Sequence, residues 1–371
     1  RFAHKMYLKK DTYVIFNSIL FQPICVSKEK VKYIFSEQVD LLTKDELDLL
    51  YQSGIFIQSA KQDDEVEQLL KENINGRPNE VNLMYVIPYS GCNLACRYCF
   101  IGKIENNKAL RMSFETIDNA LQIFSKHLKK TKQKYGKIIF YGGEPTVCFD
   151  LIKHTIKKVK EFSVPIKFSM VTNGTLLDDE KIIFCKENNL SIGISIDGPK
   201  EKNDFNRFFK DSSKSVYDIV TAKIKLLQER KVDFGLSVTL TENLLDDENF
   251  LEWIKTSGTK SVNFNLLHYT SVNDEWKRYY RKASRFLFKA YDELSRLDIK
   301  DDRILRKINA FSSQTLKYSD CNAVGASQLT LKPNGDLTIC HAYWNLQQEV
   351  LGNVNHKGFC INNIFDNMIY Q

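Results

Sequence analysis

From about residue 81 onward the apolar positions fall into short strand-length blocks, and between those blocks they recur at helical spacing. Strands are predicted at 83–87, 138–140, 168–171, 192–196, 234–240 and 262–267. Phe114, Ile117, Leu121 and Phe124 share one helical face, and further helical runs cover 150–162, 216–229 and 249–254. Strands that alternate with helices imply right-handed crossovers and a parallel sheet. The fold class is α/β. A doubly wound sheet and a partial (β/α)6, TIM-like barrel both satisfy the pattern.

The first 79 residues have a different rhythm. Residues 12–16 and 19–21 read as paired strands. A helix is predicted from Ser27, with Val31, Ile34 and Phe35 on one face. A second starts at Thr43, where Thr43 and Glu46 have capping-box spacing and Gly54 offers a stop. Strands followed by short helices make a winged-helix-like module or, equally, a packing extension that covers a barrel. The acidic stretch 63–79 reads as a linker or a poorly packed helix. The expected domains are 1–79, 80–310 and 311–371.

Composition narrows the class. With 371 residues, 43% hydrophobic and 27% charged, the chain has an ordinary globular balance and room for two or three domains. No apolar run approaches membrane-spanning length, so no membrane partner is expected. The net charge of +7 suits a mildly anionic partner. The densest basic stretch, 126–134, falls at a predicted helix end, where positive charge suits the helix dipole. No nucleic-acid motif accompanies it, and nucleic acid is not expected to bind. Nine cysteines without a secretory signal point to reduced thiols and a cytoplasmic protein. The chain begins at Arg1, so trimming at one or both ends is expected.

Three of those cysteines, Cys92, Cys96 and Cys99, stand in one C-x3-C-x2-C run after the first barrel strand. Zinc would use paired Cys or His and a fourth ligand, and no neighbour supplies one. Three thiolates suit three corners of a [4Fe–4S] cube and leave the fourth iron open. The run, with Tyr98 before the last Cys, resembles the signature of the radical S-adenosylmethionine (radical SAM) enzymes. That resemblance implies S-adenosylmethionine on the open iron and Tyr98 beside its adenine.

Further motifs fall at the ends of successive predicted strands. Gly142-Gly143-Glu144-Pro145 resembles the family's GGEP motif, which holds the methionine amino group; a turn is the plain alternative. Thr172 and Asn173 end the third strand near the cofactor's expected place, although Asn and Gly also suit a simple turn. Ser195, Asp197 and the following Arg207 resemble the corresponding stretch of sulfatase and peptide maturases. By that match Ser195 and Arg207 bind the cofactor carboxylate, and Asp197 orients the ribose or the loop. Leu266, in the last strand, would flank adenine or serve as a core leucine. His268 has no assigned role. Chemistry at the C-terminal ends of consecutive strands favours the partial barrel.

Near the C-terminus, Pro333-Asn334-Gly335-Asp336 between apolar stretches reads as a hairpin turn. It would bring Cys321 and Cys340 to one centre, which resembles the start of a SPASM or twitch domain with its auxiliary iron–sulfur cluster. The closely spaced cysteines that follow in that family are absent, and Cys360 lies outside its pattern. Either the chain is cut short or the auxiliary site is incomplete. Cys25, Cys148 and Cys185 read as structural.

The resemblance spans about residues 81–371 and implies a peptide maturase of the SPASM branch. Such an enzyme takes a ribosomal precursor peptide, draws one electron from a flavodoxin- or ferredoxin-type reductant, and forms a thioether or carbon–carbon cross-link. An anaerobic sulfatase-maturating, formylglycine-forming enzyme is the alternative within the class. A non-catalytic iron–sulfur electron-transfer or peptide-binding protein is the alternative outside it. No catalytic base can be selected from sequence.

Overall fold

The computed structural model describes residues 3–9, 11–17, 22–36, 38–75, 81–99, 101, 108–267, 273–306, 323, 325, 327–343 and 350–366. By its internal contacts the chain divides into two compact units, one holding residues 1–78 and 305–320 and the other 79–304 and 321–371.

In the first unit, β1 (Ala3–Lys9), β2 (Thr12–Asn17) and β3 (Ile24–Ser27) form an antiparallel sheet in that order. Thus β2 pairs with β1 and β3, and the expected partner at 19–21 lies outside the described residues. The helix α1 (Lys28–Phe35) starts where Ser27 accepts from the Lys30 amide. The helix α2 (Lys44–Gln52) carries the complete Thr43/Glu46 capping box and stops at Gly54, whose φ of 66° releases the chain. Of the stretch 63–79, expected as a linker or a poorly packed helix, residues 63–75 form the C-terminal part of α3 (Ala60–Asn75). Ile15, Val31, Ile34, Leu42, Leu50 and Ile55 make a small core of the unit's own. Cys25, expected to be structural, is exposed on β3.

The second unit is built on β4 (Leu83–Val86), β5 (Gly136–Phe140), β6 (Ile166–Thr172), β7 (Leu190–Ser195), β8 (Phe234–Leu240), β9 (Ser261–Leu266) and β10 (Lys300–Asp301). They lie parallel and in sequence order. Beyond β4, the strands β11 (Gln328–Leu331), β12 (Asp336–Thr338) and β13 (Val350–Asn353) extend the same sheet. The sheet is open: among the described residues β10 and β13 are its edges, and no barrel closes.

Crossovers run through α4 (Phe114–Lys130), α5 (Phe149–Val159), α6 (Asp179–Glu187), α7 (Lys200–Asn206), α8 (Val216–Glu229), α9 (Glu242–Leu245) and α10 (Phe250–Thr256). Ile117, Leu121, Phe124 and Leu128 of α4 are buried, whereas Phe114, expected on that face, is 46% exposed against His154. It sits in the first turn, ahead of the stripe. A long helix, α11 (Asp274–Ser295), follows β9. Sequence reasoning missed it, although Tyr279, Ala283, Leu287, Ala290 and Leu294 recur at helical spacing and are all buried.

Period-two alternation gives the sheet two unlike faces. Phe168, Met170, Ile192, Ile194, Leu236 and Val238 are buried in the common core. The opposite face carries Ser169, Val171, Gly193, Ser195, Gly235, Ser237 and Asn265, which are only half-buried. Small and polar side chains there leave room above the sheet, next to the C-terminal strand ends.

Candidate active site

The cysteine run leaves β4 as a loop and is fastened by backbone. Ala95 donates to the Phe208 carbonyl at 2.8 Å and Arg97 to that of Asn206 at 2.9 Å. Leu94 and Phe209 form an isolated antiparallel bridge, and Lys210 donates to the Asn93 carbonyl at 3.3 Å. The segment after α7 therefore clamps the whole run. Cys92 and Cys96 are half-buried and Cys99 is exposed.

The Gly-Gly-Glu-Pro turn after β5 packs on the other side of this loop. Gly143 donates to the Tyr89 carbonyl at 3.2 Å and Glu144 to the Gly91 carbonyl at 2.9 Å. A Cβ at Gly143 would stand 1.8 Å from the Gly91 oxygen, so only glycine permits this approach. Gly142 needs glycine for a second reason, a φ of +120°. Pro145 opens the short 3-10 turn that follows.

Glu144 is fully buried. Its Oε1 accepts from the Thr146 amide at 3.0 Å, from the Thr146 hydroxyl, and from Thr172 Oγ1 at 2.6 Å. Its Oε2 accepts from the Asn173 amide at 2.7 Å. Burial pushes its pKa up, and these four donors pull it back. Asn173 then reaches the cysteine loop, with Nδ2 2.9 Å from Asn93 Oδ1 and 3.6 Å from Cys92 Sγ. Asn93 in turn donates to Thr175 Oγ1 at 2.9 Å. Three strand ends are thus joined around Cys92. Asn93 and Thr175 were not singled out from sequence, because ordinary loop residues announce no partner.

A second network surrounds Asp197, which has no exposed surface. Arg207, itself buried, holds it bidentately, Nε to Oδ2 at 2.8 Å and Nη2 to Oδ1 at 3.2 Å. The Thr239 amide donates to Oδ1 at 2.9 Å, and the Tyr98 hydroxyl donates to Oδ2. The guanidinium also lies 5.5 Å from the Tyr98 ring centre. Burial raises the Tyr98 pKa strongly. The fork of Arg207 expected for a cofactor carboxylate is thus occupied by Asp197. Ser195 and Leu266 stand half-buried at the ends of β7 and β9, paired in register with Ser237 and Leu240.

Beyond Gly142, Tyr141 meets Tyr85 and His341, with ring centres 5.9 and 4.7 Å away. His341 follows Cys340, a half-buried thiol whose Sγ accepts from the Ala342 amide at 3.4 Å. Burial raises the Tyr141 pKa, and Cys99 and Cys340 both add to the shift. Cys321 and His268 lie outside the described residues. Cys148 and Cys185 are buried in the core, as expected.

Donor chemistry bears on what the cysteines hold. Burial pushes Cys92 up to about 12 and Cys96 to about 11. Sulfurs so placed are thiols unless a bound cation drives the proton off. Among the described residues no three His, Cys, Asp or Glu side chains converge on a single ion. That is compatible with a cube, in which each thiolate binds a different iron.

A model of the radical SAM superfamily matches residues 86–256, from the end of β4 through α10. The chain carries a radical SAM domain. It is 34% identical over 158 residues to a cysteine-type anaerobic sulfatase-maturating enzyme of Clostridium novyi, an alignment covering 42% of each chain. The chain thus spans well under half the length of that relative. Among solved structures it is similar to native anSMEcpe with bound AdoMet and Cp18Cys peptide, with TM-score 0.65, 22% identity, and coverage of 78% and 81%. It is also similar to Streptococcus suis SuiB bound to precursor peptide SuiA, with TM-score 0.55, 13% identity, and coverage of 100% and 88%. At these identities the two structures establish the fold alone. Radical SAM proteins use a [4Fe–4S] cluster and S-adenosylmethionine. No helix among the described residues is long and apolar enough to cross a membrane.

Proposed function

We propose that this chain is a radical SAM peptide maturase. It would hold a [4Fe–4S] cluster through Cys92, Cys96 and Cys99 and remove hydrogen from a carbon of a ribosomal precursor peptide. The observation that carries this is the double fastening of the cysteine run, to Glu144 and Asn173 on one side and to the segment after α7 on the other. When bound, the cluster and S-adenosylmethionine supply a 5′-deoxyadenosyl radical after one electron from a flavodoxin- or ferredoxin-type donor.

The chain's own residues place and shield. The Gly142-Gly143-Glu144-Pro145 turn would hold the methionine amino group; Thr172 and Asn173 fix the Glu144 carboxylate, and Asn173 also fixes the loop beside Cys92. Ser195, at the end of β7, offers a hydroxyl to the cofactor carboxylate. Arg207 acts through Asp197, holding Tyr98 and hence the loop between Cys96 and Cys99. Leu266 closes the adenine side. The half-buried face of small residues holds the substrate carbon away from water. Cys340, with Cys321, would ligate an auxiliary iron–sulfur cluster that receives the second electron.

The product is a thioether or carbon–carbon cross-link. The three-stranded N-terminal unit favours this reading, since the SuiB alignment covers the whole chain, that unit included. The stronger sequence similarity to a sulfatase-maturating enzyme favours a second reading, oxidation of a Cys to formylglycine. Anaerobic reconstitution with S-adenosylmethionine and dithionite, scored for 5′-deoxyadenosine, tests the chemistry. Mass spectrometry of candidate precursors and of a sulfatase peptide separates the two products: cross-linking loses two hydrogens with all side chains retained, whereas formylglycine formation removes the sulfur.

A further inference from the structure

The helix α11 carries a surface that the chemistry above does not use. Lys277, Lys282, Lys289 and Arg296 each meet an acidic partner, Asp274, Asp246, Glu293 and Asp292 respectively. Arg278, Arg281 and Arg285 are exposed and form no ion pair or hydrogen bond among the described residues. Their spacing, three and then four residues, puts them on one face. Like charges at these spacings repel, and the first of them stands near the positive end of the helix dipole. The fold gains nothing from that arrangement.

The arginines are accompanied by aromatic surface. Trp276 and Tyr280 have ring centres 4.6 Å apart, and with Ser284, Arg281 and Arg285 they line a shallow groove. Phe288, the next turn along, is 59% exposed. Arginine and aromatic side chains together are the usual composition of binding hot spots. The groove also has a place relative to the site. Tyr279 accepts from the Leu267 amide at 2.9 Å and donates to the Leu240 carbonyl at 2.6 Å, and Tyr280 donates to the Leu267 carbonyl at 3.1 Å. The first turns of α11 are therefore tied to the C-terminal ends of β8 and β9, the end of the sheet that bears the candidate site.

We propose that this face is a docking surface for an acidic, extended segment of the peptide substrate. The proposal rests on the peptide-modifying reading and adds the chemistry of the partner. Arg281 and Arg285 are about 6 Å apart along the helix axis. Alternate side chains of an extended peptide are spaced about 6.6 Å, so carboxylates at every second position meet successive arginines. Three cations along about 10 Å of helix are too few for a duplex, which needs a longer track of phosphate contacts. The Trp276–Tyr280 wall accepts an apolar side chain between the carboxylates.

The test is fluorescence anisotropy of the full chain with a labelled peptide of alternating Glu and Leu, against its Lys-and-Leu counterpart. The Glu peptide binds, the Lys peptide does not, and affinity falls with added salt. Combined Arg278→Gln, Arg281→Gln and Arg285→Gln lowers affinity about tenfold or more, and the corresponding three Arg→Glu changes abolish it. Gln keeps helix propensity, so unchanged thermal melting separates lost binding from lost folding. Equal binding by the Gln variant overturns the proposal. So does displacement of the peptide by duplex DNA at equal charge concentration, which marks an unselective anion patch. The readout needs no cluster: a reconstituted enzyme that makes no 5′-deoxyadenosine defeats the radical reading while leaving the binding result to stand or fall alone.

Discussion

Asp197 is the buried acceptor on which three separate segments converge, and replacing it with Asn isolates its contribution. The side chain keeps its size, but the negative charge beside Arg207 is gone. Arg207 is then left buried, 7% exposed, with no counter-charge. Removing one partner of a buried ion pair costs about 3–5 kcal/mol, against about 0–1 for a surface pair. Asn also presents N–H where Tyr98 or Arg207 donates, so one buried donor faces another. Spread over a unit of this size, that loss lowers Tm by on the order of 10 °C. Urea unfolding gives the free energy, and iron bound per chain after reconstitution gives the effect on the loop, since Tyr98 lies between two of its cysteines. The double variant Asp197→Leu, Arg207→Met removes both charges and recovers part of the loss. A cost for Asp197→Asn below about 1 kcal/mol, with full iron content, would refute the assignment of Asp197 as the anchor of the loop.

Three further changes probe the other supports. Gly143→Ala drives a methyl into the Gly91 carbonyl, 1.8 Å away, and is expected to cost about 1–3 kcal/mol and to lower iron uptake; intact uptake would show that the two loops separate freely. Glu144 has a raised pKa when folded, so the stability it contributes is present in acid and is lost as pH rises from its ordinary value of 4.5 through the folded value. Unfolding free energies measured across that window should fall with pH in the parent and stay flatter in Glu144→Gln; the variant is also less stable by about 1–3 kcal/mol, because its amide faces the Asn173 N–H. Cys96→Ala keeps the fold, as far-UV circular dichroism should show, but loses the cluster of the Cys92–Cys99 run, so cluster absorbance and iron per chain fall below the parent's; undiminished cluster absorbance in this variant would remove Cys96 from the ligand set.

The parallel strands were legible because a buried parallel sheet writes continuous apolar runs, and β8 and α8 fall at their expected bounds. The candidate site residues were legible wherever a motif is local: the cysteine run, the glycine pair and Asp197 each announce themselves over a few residues. What stayed hidden depends on tertiary contact. That Arg207 turns to Asp197 follows from the clamp between residues 206–210 and the cysteine loop, which no local spacing encodes. The Tyr85, Tyr141 and His341 cluster unites three remote stretches through the pairing of β11 with β4. In α11 the buried Tyr279 and Ala283 stripe was masked by the charges that crowd around it. Phe114 erred in the opposite sense, since its period was right but its turn came too early to reach the core.

The central claim is a [4Fe–4S] cube on Cys92, Cys96 and Cys99 with one iron free for S-adenosylmethionine. Electron paramagnetic resonance of the anaerobically reconstituted, dithionite-reduced chain tests it most directly. The account predicts a reduced-cluster signal that changes on adding S-adenosylmethionine and disappears from the Cys96→Ala variant. Bound zinc in place of iron, or a cluster signal indifferent to S-adenosylmethionine, would contradict it.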